Sequence, residues 1–170
     1  MSSERTLIIT IDPGKSGAIV MSLGDTVKVL KMPDTIYSIN DLFDCPSHDL
    51  TADAHIYNGF STYDFDREIC LIEQIRPMHN PKGAKKGVKQ TWSQAENYTA
   101  LLMALYANSI KTIEVPASKW MAKLPGTRPK EYKERKAWLK QHAQRLYPQQ
   151  KVTLWNADAL CLHHVSGEFI

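Results

Sequence analysis

No apolar run in this 170-residue sequence approaches the length of a membrane-spanning helix. The opening Met-Ser-Ser-Glu-Arg-Thr also lacks the apolar core of a secretory signal. A soluble, cytosolic protein with no membrane partner is expected. Cysteine is scarce: Cys45, Cys70 and Cys161 are odd in number, far apart and without the paired spacing of metal knuckles or redox motifs. They are expected to be reduced bystanders. A glycine is missing too. Gly14-Lys15-Ser16 imitates the end of a phosphate-cradling loop, whose earlier glycine lets the intervening amides curl around one phosphate. The residue in that earlier position is Ile9, inside the apolar run Leu7-Ile8-Ile9. The run reads as a buried strand, which excludes the cradle and leaves Asp12, at the strand's end, as the residue to explain.

No repeat, low-complexity tract or linker interrupts the chain. Its length and 43% hydrophobic content suit a single domain over residues 1–170 with a real core. The net charge is only +3, but that average hides a division. Residues 1–75 hold five Lys/Arg against twelve Asp/Glu, whereas residues 76–151 hold sixteen against four. A basic half of this size attracts a polyanion, of which nucleic acid is the commonest. A solvated basic helix beside a lysine-rich loop would give the same count, so the argument turns on where the charges cluster.

The order of elements reads as α/β. Strands are expected at Thr6–Ile11, Gly17–Leu23 and Thr26–Lys31, joined by tight turns at Gly14/Gly17 and Gly24-Asp25 into an antiparallel meander. Residues 33–68 are acidic and aperiodic, with one helical turn expected at Ile39–Phe43. Ile69–Ile75 reads as a buried strand, and Arg76–Gln90, with no acid, two prolines, two glycines and five basic side chains, as a loop. Ser93-Gln94-Ala95-Glu96 has capping-box spacing and predicts a helix start, with Tyr98, Leu101, Leu102 and Leu105 as its core stripe. A strand at Ile110–Val115, a short helix from Ser118 through Met121 and a basic amphipathic helix over Lys130–Tyr147 are expected next. The chain then gives a short strand at Lys151–Leu154 and a last helix at Asn156–Val165.

Three acids sit where apolar context forces them inward or to the sheet edge. Asp12 ends the first strand, Glu73 follows Leu71-Ile72 in a strand that would lie beside it, and Asp158 opens a helix whose next residues are apolar. Each has an ordinary explanation: a turn at Asp12-Pro13-Gly14, a surface acid or partner of Arg76 at Glu73, a favourable helix dipole at Asp158. Together they are harder to dismiss, because clustered like charges repel and are costly to bury unpaired. Such a cluster calls for a cation, and oxygen ligands without Cys or His suit Mg²⁺ or Mn²⁺.

"IDPGKSGAIV", "LIEQIRPM" and "NADALCL", in that order, resemble the signature of RuvC-like Holliday-junction resolvases of the RNase H-like superfamily. Gln90-Thr91-Trp92 ahead of the central helix and a Val-Pro-x-x-x-Trp segment after it look most like the phage and chloroplast branch. The resemblance implies an RNase H-like fold, a central mixed five-stranded sheet flanked by helices. It implies two divalent ions per site clamping the scissile phosphate, with Asp12 bridging both and Glu73 and Asp158 each completing one side. One departure stands out. These proteins commonly carry a fourth acidic or histidine ligand three residues before the last aspartate, where this sequence has Trp155. Three carboxylates and water then suffice, or His163 or Asp66 approaches, or the second ion binds weakly.

The resemblance also gives the basic half a role. Arg76, Lys82, Lys85, Lys86 and Lys89 would line the approach to the acids and make DNA binding steeply salt-dependent. Trp92 would stack on an unpaired base or pack in the core, Lys119 would touch the scissile phosphate, and Lys130, Lys133 and Lys136, on a helix with Arg135 and Lys140, would in part contact a duplex arm. Trp120 and Trp138 are assigned to packing, and His142, His163 and His164 to the surface or helix flanks. A four-way junction is two-fold symmetric, so paired nicks imply a homodimer, with Met103 and Tyr106 of the central helix at its interface. The expected setting is the cytoplasm of a bacterium, or of one infected by a phage. Two alternatives remain open, a nuclease of the same superfamily acting on flaps, forks or RNA–DNA hybrids and a degenerate junction-binding module; an actin- or sugar-kinase-like ATPase fragment fails on length, since it needs two related domains to enclose a nucleotide.

Overall fold

A computed structural model describes residues 5–43, 56–57, 59–61, 64–75 and 88–170. Its main sheet has five strands, β1 (Thr6–Ile11), β2 (Ala18–Leu23), β3 (Thr26–Lys31), β6 (Arg67–Gln74) and β7 (Lys111–Pro116), in the order β3-β2-β1-β6-β7. The meander β1–β3 is antiparallel, while β6 and β7 join β1 in parallel, so the sheet is mixed. Between β3 and β6 lie helix α1 (Ile36–Phe43) and a two-stranded ribbon, β4 (Ile56–Tyr57) with β5 (Phe60–Ser61), which the aperiodic sequence there does not announce. Helices α2 (Val88–Ala107), α3 (Ala117–Met121), α4 (Tyr132–Leu146) and α5 (Ala157–His164) and a closing 3-10 turn (Ser166–Glu168) complete the order.

Strand alternation sorts the core into two layers. Leu7, Ile9 and Ile11 of β1, with Cys70 and Ile72 of β6, face α1 and α2 and pack on Ile39, Phe43, Leu101 and Leu105. Ile69 and Leu71 of β6, with Ala18 and Val20 of β2, face α3, α4 and α5 and pack on Trp120, Leu139, Ala143 and Leu160. Thr10 of β1 lies on this second side. It is fully buried, with its hydroxyl 3.2 Å from His163 Nδ1.

Several expectations need correction. Helix α2 starts at Val88, five residues ahead of the proposed capping box; neither glycine nor proline occurs between Val88 and Ala107 to stop it, so Ser93 and Glu96 lie inside the helix and Lys89 and Gln90 belong to it rather than to a loop. Residues 151–154 form no strand. Asn156 Oδ1 accepts the Thr153 amide at 2.8 Å and its Nδ2 donates to the Lys151 carbonyl at 3.1 Å, which closes the segment into a turn. His142 and His163 are buried rather than on the surface. Trp120 is fully buried and Trp138 packs at the edge of the same layer, edge-on to His142. Cys70 and Cys161 are buried free thiols, and Cys45 lies outside the described residues. Among the described residues, no helix is long and apolar enough to cross a membrane.

The β1–β2 turn is built around one close approach. The Gly17 amide donates to the Gly14 carbonyl at 2.8 Å, and the Asp12 amide to the Ala18 carbonyl at 3.0 Å. A Cβ on Gly17 would stand 2.0 Å from the Asp12 carbonyl oxygen, so only glycine fits without moving the backbone of Asp12. Gly17→Ala is therefore expected to destabilise the fold by about 2 kcal/mol or more. Gly167→Ala, whose Cβ would meet nothing within 4 Å, should stay within about 0.5 kcal/mol of wild type. Urea unfolding of both variants checks this, and equal midpoints would contradict it.

Candidate active site

Strand parity brings the acids together. Asp12 continues the Thr10 face of β1, and Glu73 the Ile69–Leu71 face of β6, so both look toward α5. The parallel register ends at Ile11 opposite Ile72, and the next step sets Asp12 beside Glu73 at the carboxyl ends of neighbouring strands. Asp158, in the first turn of α5, faces them from above; it is 8% exposed. All three line one cleft of about 1000 Å³, with Lys15, Ser93 and Gln94 on one side and Arg128, Tyr132, Arg135 and Lys136 on another.

Each carboxylate has its own restraint. Asp12 Oδ1 lies 3.4 Å from the Gly14 amide, and the turn behind it is tied to α2 by Asn97 Nδ2, which donates to the Pro13 carbonyl at 2.8 Å. Glu73 Oε2 accepts the indole N–H of Trp120 at 2.9 Å. Asp158 Oδ2 accepts Lys136 Nζ at 2.7 Å, while its Oδ1 is buried with no hydrogen-bond partner.

Crowding shows in the titration of the group. Burial, reinforced by the charge of Asp158 and opposed by Lys136 and the Gly14 amide, raises Asp12 to about 6. Burial and the charge of Asp12, opposed by the Trp120 hydrogen bond, raise Glu73 to about 7. Burial alone would depress the Lys136 ammonium, but Asp158, which also takes its hydrogen bond, and Asp12 outweigh it and hold the lysine above its ordinary value. Burial, then the charge of His164, lowers His163 to about 4, so it stays neutral behind β1.

The donors fit a hard divalent cation: all are carboxylate oxygens, they share one cleft, and a buried oxygen of Asp158 is unclaimed. The fit is one of chemistry and convergence. Among the described residues, no three Asp, Glu, His or Cys side chains already form a coordination shell.

Other expected site residues land differently. Arg76, Lys82, Lys85 and Lys86 lie outside the described residues, as does the side chain of Lys89. Lys119, Lys130 and Lys133 are exposed and do not line the cleft; what α3 contributes to it is the Trp120 indole on Glu73. Trp92 is 72% exposed and lines a groove between α1 and α2, neither the core nor the cleft. Trp155 packs against the α3–α5 layer and offers no ligand. Its proposed substitutes do not serve: His163 is turned to Thr10, and Asp66, which accepts the Arg5 amide, precedes the far end of β6, roughly 20 Å of strand from Glu73. Arg128 and the pair Tyr132 and Arg135 complete the site. Tyr132, Arg135, Lys136 and Leu139 follow i, i+3, i+4, i+7 spacing, a signal that singles out the cleft-facing stripe of α4.

No protein-family model and no curated protein sequence matches the chain. Among solved structures, it is similar to T. thermophilus RuvC in complex with a Holliday junction substrate, with a TM-score of 0.51 and 11% identity over 96% of both chains. The likeness is one of fold: this chain has the RNase H-like fold, a mixed five-stranded sheet flanked by helices.

A carboxyl raised on folding contributes a cost that is absent below its ordinary value, 3.8 for Asp12 and 4.5 for Glu73, and complete above the folded values of about 6 and about 7. At ~1.4 kcal/mol per unit, the cost is on the order of a few kcal/mol. In EDTA, Asp12→Asn should therefore melt with wild type at pH 3 and several degrees above it at pH 8, at ~2–4 °C per kcal/mol. A melting gap that does not change with pH would contradict the crowding.

Proposed function

We propose that this chain is a divalent-cation-dependent, structure-selective endonuclease that resolves four-way DNA junctions by paired symmetric nicks, with residues 1–170 as one RuvC-like nuclease domain. The observation that carries this reading is the in-register placement of Asp12 beside Glu73 with Asp158 facing them, in a cleft rimmed by Arg128, Arg135 and Lys136. The junction in the solved RuvC complex supports branched DNA as the substrate. The Gln90-Thr91-Trp92 and Val-Pro-x-x-x-Trp segments favour the phage and chloroplast branch, acting in bacterial cytoplasm.

The reaction is hydrolysis of a phosphodiester: a water oxygen bonds to phosphorus, the bond to the 3′-oxygen breaks, and the water's proton ends on that oxygen. When bound, Mg²⁺ or Mn²⁺ supplies Lewis-acid stabilisation of the phosphate and eases ionisation of the attacking water. The side chains do the positioning. Asp12, Glu73 and Asp158 would hold the cation; Trp120 fixes one oxygen of Glu73 and so orients the other, and the Gly14 amide restrains Asp12. Arg128 and Arg135 would take flanking phosphates, with guanidinium forks matched to that geometry. The basic segment from Arg76 to Lys89 would extend the same field along the strand.

Paired nicks need two clefts at a fixed separation, so a two-fold homodimer belongs to the proposal. Its interface is assigned to the apolar groove of about 590 Å³ between α1 and α2, where Trp92 and Met103 are 72% and 64% exposed. Met103→Glu should shift sedimentation from dimer toward monomer and turn paired nicks into single ones. A wild type that sediments as a monomer at micromolar concentration would sink the dimer.

The deciding assay is nicking of a synthetic four-way junction with Mg²⁺ or Mn²⁺, beside linear duplex and RNA–DNA hybrid. Wild type should make paired symmetric nicks in the junction. Asp12→Asn and Asp158→Asn should lose at least ~10²-fold in rate while still binding, more than the loss of an outer-shell partner costs. Tight junction binding without cleavage in either ion would make this a binding module, and preference for the hybrid would make it a different nuclease.

A further inference from the structure

The resemblance implies two ions per site, balanced by four ligands, but the fourth position is Trp155, half-buried against the core and without a ligand atom to offer. What reaches the acids instead is a cation of the chain itself. Resting on the nuclease reading above, we infer that this site takes one divalent ion and that the Lys136 ammonium occupies the place of the second.

Three observations carry this. Lys136 Nζ lies 2.7 Å from Asp158 Oδ2, and the pair is largely withdrawn from solvent, the lysine side chain 25% and the aspartate 10% exposed. An exposed surface pair would be too weak and mobile to define a site; a desolvated one is not given up without leaving a buried charge unpaired. The ammonium is also rigidly delivered. Leu139, one turn on, is fully buried against α5, and its carbonyl accepts Cys161 Sγ at 3.3 Å, so the stripe bearing Lys136 is fixed to the helix bearing Asp158.

Charge also favours one ion over two. The three carboxylates and the ammonium bonded to one of them sum to minus two, which a single Mg²⁺ or Mn²⁺ neutralises, and Lys15, Arg128 and Arg135, which also line the cleft, add positive charge that disfavours a second divalent ion further. A second divalent ion would leave an uncompensated excess of positive charge beside Lys136 and would have to displace it from Asp158. The unclaimed Oδ1 of Asp158 remains for the one ion, and Oδ2 stays with the lysine. Lys136 is thus a residue that fixes the metal count of the site.

The test is a Mn²⁺ titration of metal-free protein, with free Mn²⁺ read by electron paramagnetic resonance, on wild type, Lys136→Met, Lys136→Glu and Asp12→Asn. Circular dichroism confirms that each is folded. Wild type should bind one Mn²⁺ per chain. Lys136→Glu, which restores four acids, should bind two, and Lys136→Met should bind the first ion at least tenfold more tightly. Asp12→Asn should lose the site. Two ions in wild type, or one ion with unchanged affinity in both lysine variants, would overturn the role of Lys136 and leave the nuclease reading standing. No Mn²⁺ binding by wild type or Lys136→Glu would overturn both.

Discussion

Asp12 and Glu73 repel each other, and much of their surroundings offsets that repulsion. Their adjacency is not adjustable: it follows from parallel pairing of β1 with β6, which sets Ile11 opposite Ile72 and the two acids one step beyond. Slipping the register by one residue would turn every side chain of one strand to the opposite face and expose its core set, so the hydrophobic layers on both sides hold the carboxylates where electrostatics alone would separate them. The Trp120 indole then reduces the penalty at Glu73, the Gly14 amide that at Asp12, and the Lys136 ammonium that at both.

The same logic explains the tightness of the turn between β1 and β2. The return strand passes over the Asp12 carbonyl so closely that Gly17 cannot carry a side chain, and Asn97 ties the turn to α2 through Pro13. The resemblance of Gly14-Lys15-Ser16 to a phosphate cradle is thus superficial, although Lys15 and Ser16 do border the cleft. Positive charge reaches the acids from α4 as well, through a stripe of one helical period.

Much of this was legible in the sequence because it is written in periodicity. The strands at Thr6–Ile11 and Thr26–Lys31 have the expected bounds, and Asp12 and Glu73 are marked by the apolar strand residues before them, Asp158 by the apolar helix residues after it. Long-range packing was not legible. Ser-x-x-Glu inside α2 has the spacing of a cap, but nothing in the local pattern says that the helix already began at Val88. Residues 151–154 have strand composition, and only the side chain of Asn156 folds them into a turn. Charge counting picked Lys130 and Lys133 together with Lys136, whereas only the i, i+3, i+4 spacing from Tyr132 separates the one that faces the acids.

Helix α2 borders both surfaces of interest. Ser93 and Gln94 form part of the cleft wall, while Trp92, Ala95 and Met103 line the groove on its other flank. Its 20 residues make a rod of about 30 Å. A second copy seated in the groove would have its own acids set at a distance measured by that rod, as graduations are by a ruler, and the spacing between two cuts would then be a property of one helix rather than of the DNA.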